Sequence, residues 1–168
     1  FACHVLFRPV DYVSGDIYDV HRLDEEHIGI AVADASGHGI PAALLTVYIK
    51  RALRGKEIEH GTYRILAPDE VLSRLNEDLL EARLAECPFV AATYAVLNTR
   101  TLELSFARGG APFPLVRRAN GEVQPLESPG GVVGVVPGAR FEAQQILFDG
   151  AASAVAKAVL GVADDDLG

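Results

Sequence analysis

The sequence predicts an α+β domain in which antiparallel sheets carry helices on their outer faces. Three observations lead there. Strand-like segments fall in runs on either side of two helices instead of alternating with them. Short polar turn sequences separate neighbouring strands. The 168 residues suffice for one substantial core, and no internal repeat or low-complexity linker divides them.

The elements follow in order. Ala2 to Arg8 reads as a strand, as do Val13 to Arg22 and His27 to Ala33, the last two joined by the polar turn Asp24-Glu25-Glu26. A helix starts near Pro41, because proline suits a first turn and Gly37 and Gly39 break what precedes it. Ile40, Ala43, Leu44, Val47 and Tyr48 recur at helical spacing and make one apolar face. A second helix opens at Pro68-Asp69-Glu70, with Val71, Leu72, Leu75, Leu79 and Ala82 as its buried stripe. Strands return at Phe89 to Leu97 and Leu102 to Ala107 around the turn Asn98-Thr99-Arg100-Thr101. A hairpin of Phe113 to Arg118 and Glu122 to Leu126 turns at Asn120-Gly121, a favoured two-residue pair. Phe141 to Phe148 is a further strand, and Ala151 to Ala163 is helical by propensity.

Composition narrows the function classes. Hydrophobic residues make up 49% and charged residues 23%, an ordinary globular balance. The formal charge of −8 argues against a nucleic-acid partner, since phosphate backbones reward a basic face. An acidic balance suits a protein that binds divalent cations, although charge alone decides little. No apolar run approaches the ~20 residues of a membrane span, and the N-terminus lacks a signal-peptide pattern. Cys3 and Cys87 match no metal spacing and read as small buried hydrophobes in a reducing cytosol, so a cytoplasmic location is expected.

Two segments concentrate chemistry: Ser14-Gly15-Asp16-Ile17-Tyr18-Asp19 and Asp34-Ala35-Ser36-Gly37-His38-Gly39-Ile40-Pro41. Each sets a carboxylate beside glycine at a strand position that its apolar neighbours would bury. A buried carboxylate needs a cation or several donors. Hard cations such as Mg²⁺ and Mn²⁺ take oxygen ligands, and a pair of them can activate water toward phosphorus. The glycines let the backbone turn tightly, so a main-chain carbonyl near Asp34 could face the metal as well. The alternative is that Asp16 and Asp34 are turn residues with local hydrogen bonds, and that His38 merely starts a helix.

Gly15-Asp16-Ile17-Tyr18-Asp19 and the run from Ala33 to Ala43 resemble the paired signatures of the PPM phosphatases, in the branch of sporulation and stress-response enzymes that act on anti-sigma-factor antagonists. Leu75-Asn76 in the second helix, Phe89-Val90-Ala91-Ala92-Thr93-Tyr94, Leu104-Ser105-Phe106-Ala107, Gly130-Gly131 and Gly134 are similar to that branch too. The likeness runs from about Phe1 to Phe148. It implies a four-layer αββα sandwich and a metal-dependent protein serine/threonine phosphatase with two Mn²⁺ or Mg²⁺ ions. Asp16 and Asp34 match metal ligands of the family, with Asp34 bridging and the carbonyl of Ala35 as a further ligand. A metal-bound hydroxide would attack the phosphoserine or phosphothreonine of an anti-sigma-factor antagonist. A sensor or receiver domain commonly accompanies the family.

The departures are specific. Ser14 replaces the first glycine of Gly-Gly-Asp, and Gly110-Ala111-Pro112 stands where Gly-His-Asn is common. Phe148-Asp149-Gly150 matches a Thr-Asp-Gly signature with phenylalanine in place of threonine, and Asp165-Asp166-Leu167 matches the last acidic pair, with Asp165 as ligand. A simple Asp-Gly turn and an acidic end are the plain readings of the same residues. Completion of the metal site by Asp149 and Asp165 separates an active phosphatase from a pseudophosphatase that binds without hydrolysis. A hydrolase of small phosphoesters is a third reading. The segment after Phe148 is short for the family and methionine is absent. Residues 1–168 are therefore expected to be a single domain of a longer polypeptide, with further residues between Phe148 and Ala151 in the natural chain.

Overall fold

In a computed structural model the described residues are 15–37, 39–83, 89–148 and 153–155. The elements are β1 (Asp16–Arg22), β2 (His27–Ala35), α1 (Gly39–Ala52), β3 (Lys56–Glu59), β4 (Thr62–Ile65), α2 (Pro68–Glu81), β5 (Val90–Asn98), β6 (Glu103–Gly109), β7 (Leu115–Arg117), β8 (Val123–Pro125), β9 (Gln144–Leu147) and β10 (Ser153–Val155). The strand expected at Ala2 to Arg8, both cysteines, and Asp149 and Asp165 lie outside the described residues.

The α+β class holds. An antiparallel five-stranded sheet runs in the order β1-β2-β5-β6-β9, beside a three-stranded sheet β10-β7-β8 and a two-stranded hairpin β3-β4. Alternation along β2 and β5 splits the core in two. Ala31, Ala33 and Ala35 of β2 and Ala92, Tyr94 and Val96 of β5 face the helices, meeting Leu45, Ile49 and Leu53 of the α1 region and Val71, Leu72, Leu75 and Leu79 of α2. Ala95, Leu97, Leu104 and Phe106 face the other way, onto Val116 of β7 and Leu126. The described residues thus stack a helical layer on one sheet and that sheet on another, which is three layers of the expected sandwich.

Several sequence expectations change in detail. The apolar face read from α1 is not its core face. Leu44 and Val47 are 68% and 60% exposed and Tyr48 is 37% exposed, while Ala42, Leu45 and Ile49 are buried. The helix is apolar on two sides, so periodicity alone cannot say which side meets the sheet. The hairpin β3-β4 was not predicted. It turns at His60-Gly61, both with positive φ (50° and 82°), and its side chains Ile58 and Tyr63 are exposed, so no buried alternation marks it. Asn120-Gly121 is not a two-residue turn: the Gly121 N–H donates to the Arg118 carbonyl and only Gly121 has positive φ, a three-residue loop closed by a glycine. Within the segment expected as an Ala-rich helix from Ala151 to Ala163, residues Ser153–Val155 form β10, antiparallel to β7. Pairing with an open strand there overrides alanine's helical propensity.

Candidate metal centre

Antiparallel pairing of β1 with β2 puts Asp16 directly opposite Asp34, and residues directly opposite share a face. That face is the one Ile30 presents to the second core cluster, away from the helices. Asp34 is in turn opposite Ala91 of β5, so it sits in the interior of the sheet with a strand on each side. It is 5% exposed, and its Oδ2 is buried with no hydrogen-bond partner. Burial, then the neighbouring charge of Asp16 and a hydrogen bond between the two carboxyls, push Asp34 up to about 7. Two carboxyls held together in this way resist carrying two charges unless a cation lies between them.

The turn reading of these aspartates fails, because both lie in strands. Asp24 shows what a turn aspartate looks like here: its Oδ1 accepts the N–H groups of Glu26 and His27 at 2.8 and 2.7 Å. Burial alone would raise the Asp24 carboxyl, but those bonds and the His27 ring beside it hold it at about 2. Asp34 has the opposite surroundings and the opposite shift.

Gly15 supplies the third feature. Its carbonyl accepts the Ala35 N–H at 3.0 Å, and a Cβ at position 15 would come within 2.5 Å of the Ala35 carbonyl oxygen. A side chain there would cover the main-chain oxygen expected to join the site, so glycine keeps it open. Beyond Ala35, the Ser36 N–H donates to the Phe89 carbonyl and the Phe89 N–H to Ser36 Oγ, both at 2.9 Å. Gly37, with φ of 100°, then turns the chain toward α1. An orphaned carboxylate oxygen, a facing carboxylate and an uncovered carbonyl are an all-oxygen set that fits Mg²⁺ or Mn²⁺.

The structure therefore brings Asp16, Asp34 and Ala35 together, while Asp149 and Asp165 fall outside the described residues. Among the described residues no group of three or more histidine, cysteine, aspartate or glutamate side chains could hold a metal. Asp19, in the same motif as Asp16, turns to the helical face instead. Its carboxylate meets Lys50 of α1 at 3.2 Å and His21 at 3.1 Å, tying helix to sheet.

The sequence reading does not single out Arg108, and it names Asn76 only within the Leu75-Asn76 likeness, without a role. Arg108, in register with Thr93, donates to the Ser128 and Ala111 carbonyls at 2.8 and 2.7 Å and stacks on Phe113. It braces the loop at Ala111. Asn76 is fully buried in α2, and the signal for it was a lone carboxamide four residues after Leu72 and three before Leu79, inside an apolar stripe.

Comparison with known proteins bears on the family and the fold. The family described as Stage II sporulation protein E (SpoIIE) matches residues 24–153. The chain is 33% identical over 128 residues to the phosphoserine phosphatase RsbU of Bacillus subtilis, covering 76% of this chain and 36% of that protein. Among solved structures it resembles the SiaA-PP2C domain of Pseudomonas aeruginosa, with TM-score 0.71 at 22% identity over 89% of this chain and 57% of that one. RsbX, solved in complex with magnesium, superposes with TM-score 0.65 at 16% identity over 88% of this chain and 67% of that one. The chain spans about a third of the length of the curated relatives it matches.

Proposed function

Because the chain belongs to the SpoIIE family of PP2C-type domains, we propose that it is a metal-dependent protein serine/threonine phosphatase acting on a phosphorylated anti-sigma-factor antagonist in the cytoplasm. The observation that carries this is the Asp16–Asp34 pair, which faces across two strands with one Asp34 oxygen buried and unsatisfied. Asp16, Asp34 and the Ala35 carbonyl would hold Mn²⁺ or Mg²⁺, and Asp149 and Asp165, which lie outside the described residues, would complete a two-ion ligand set. When bound, such ions lower the pKa of water and offset the charge of a phosphoryl group.

The protein's own residues do the positioning. The strand on each side of β2 fixes the carboxylates against rotation of the backbone, and the absent side chain at Gly15 leaves the Ala35 oxygen uncovered. No side-chain nucleophile is required of the protein. Likeness to RsbU, a phosphoserine phosphatase, supports the phosphoserine part of this reading and the motif resemblance the anti-sigma-factor antagonist, and a linked sensor or receiver domain would account for the greater length of such relatives.

Asp34→Asn should abolish Mn²⁺-dependent turnover of p-nitrophenyl phosphate and weaken Mn²⁺ binding at least tenfold, with an unchanged circular dichroism spectrum. Retained turnover in that variant, or full activity in excess EDTA, overturns the assignment. Metal binding without hydrolysis by the wild type would leave a pseudophosphatase that acts by binding alone. In cells lacking the protein, a phosphoproteomic comparison should find an anti-sigma-factor antagonist hyperphosphorylated on serine or threonine. Accumulation of small phosphate esters instead would point to the small-molecule hydrolase.

A further inference from the structure

Asn76 ties α2 to one loop. It is fully buried, its Oδ1 accepts the Gly134 N–H at 2.8 Å, and its Nδ2 donates to the Val136 carbonyl at 2.9 Å. Its neighbour Glu77 accepts the Gly138 N–H at 2.9 Å and braces the Asn76 amide at 3.0 Å. Gly134 and Gly138 both have positive φ (91° and 66°), so the backbone reverses at each end of the clamp. Between them the clamped loop presents Val135 and Val136 outward, 50% and 56% exposed. A buried carboxamide is costly unless bonded, and adjacent exposed valines are poorly hydrated, so this loop is held in an otherwise unrewarded shape.

Its place in the fold suggests the reward. Val133, at the root of the loop, exchanges backbone hydrogen bonds with Val90 at 2.9 and 2.8 Å. Val90 is in register with Ala35 of the candidate centre. The row Ala35–Val90–Val133 therefore crosses the end of the sheet where Asp16 and Asp34 stand, and Phe89, 38% exposed, lies one residue further out beside Ser36. Metal ions recognise the phosphate common to every phosphoester. Discrimination among substrates has to come from contacts beyond the phosphate. The carboxylate pair stands on one face of this sheet end and the α2-clamped loop on the other, so a bound extended segment, advancing ~3.4 Å per residue, would have to pass over the strand ends to run from the first to the second.

We propose that the Gly134–Gly138 loop is the specificity element of the site: Val135 and Val136 contact apolar residues flanking the phosphoserine, and Asn76 and Glu77 are positioning residues that hold the loop. This rests on the phosphatase reading and deepens it to a class of phosphorylated segment. The test uses the Mn²⁺-loaded protein and two phosphoserine peptides, identical except for leucine or serine at the four positions on each side. Turnover of p-nitrophenyl phosphate reports the integrity of the metal centre in every variant. The wild type should favour the leucine peptide by about tenfold in kcat/KM, expressed mainly in KM. The double variant Val135→Ser, Val136→Ser should bring that ratio close to one. Glu77→Ala should lower it in part, and Glu77→Gln, which keeps an acceptor for Gly138, should restore it. A wild type indifferent to the flanking residues, or a preference that survives in the double variant, overturns the proposal. In those cases Mn²⁺-dependent turnover of p-nitrophenyl phosphate leaves the phosphatase reading intact, whereas a wild type that turns over none of the three substrates sinks both.

Discussion

Asp34 is placed where burial and a facing carboxylate make its charge costly to the fold. Burial first and Asp16 second push its carboxyl up to about 7, well above the ordinary carboxylate range. The sign follows: below the unfolded value both states hold the proton, and stability is lost as pH rises toward 7 because only the unfolded chain releases it freely. In EDTA the wild type should therefore lose thermal stability between about pH 4 and 7. Asp34→Asn should remove most of that loss, gaining on the order of 1–3 kcal/mol at pH 8 while matching the wild type at pH 4. Equal melting of both proteins at pH 8 would mean that the pair is not strained. Tyr94 offers a second test of buried polarity. Its hydroxyl is fully buried without a hydrogen-bond partner, in a nook where a Cβ on Gly29 or Gly55 would strike it. Tyr94→Phe should be neutral or raise stability by up to ~1 kcal/mol in urea unfolding, since nothing is bonded to the oxygen it removes.

At the scale of elements, α1 separates apolar pattern from burial. Its inner residues Leu45 and Ile49 pack with β2 and α2 in the larger core cluster, and its outer residues Leu44 and Val47 stand in solvent. Leu45→Ala and Ile49→Ala should each cost about 2–4 kcal/mol. Leu44→Ser and Val47→Ser should stay within ~0.5 kcal/mol. A reversed order in chemical denaturation would mean that the face read from sequence spacing is the core face after all. α2 follows its predicted stripe, with Val71, Leu72, Leu75 and Leu79 buried and only Ala82, at the C-cap, half-buried, because its opposite face is polar and leaves only one way to dock. The hairpin β3-β4 is fastened to α2 by Arg64 and Arg74, which share Glu57 and Glu70 at 2.6–2.9 Å. These exposed pairs orient the hairpin more than they stabilise it.

Across the whole molecule, protection should follow position in the sheets. β2 and β5 each have a bonded strand on both sides and contribute side chains to both core clusters. β7 and β8 are three residues each, with exposed Leu115 and Val123. Hydrogen exchange should therefore be slowest in β2 and β5 and faster by orders of magnitude in β7 and β8. Comparable rates in the two sheets would show that they open as one cooperative unit.

The carboxylates at Asp16 and Asp34, the nearby Gly15 and Gly37, and the runs of strands around two helices were legible without coordinates, because they depend on residue type and local period. Spacing could not choose between two aspartates in turns and two aspartates facing each other. That was decided by the register of β1 on β2, a long-range pairing that no short window contains. The core face of α1, the strand at Ser153–Val155 and the clamp of Asn76 on Gly134 and Val136 were likewise decided by what lies opposite each segment. Local sequence determined which elements could form and where a charge would be costly. The tertiary structure decided which faces meet, because burial free energy belongs to pairs of surfaces and not to either one alone.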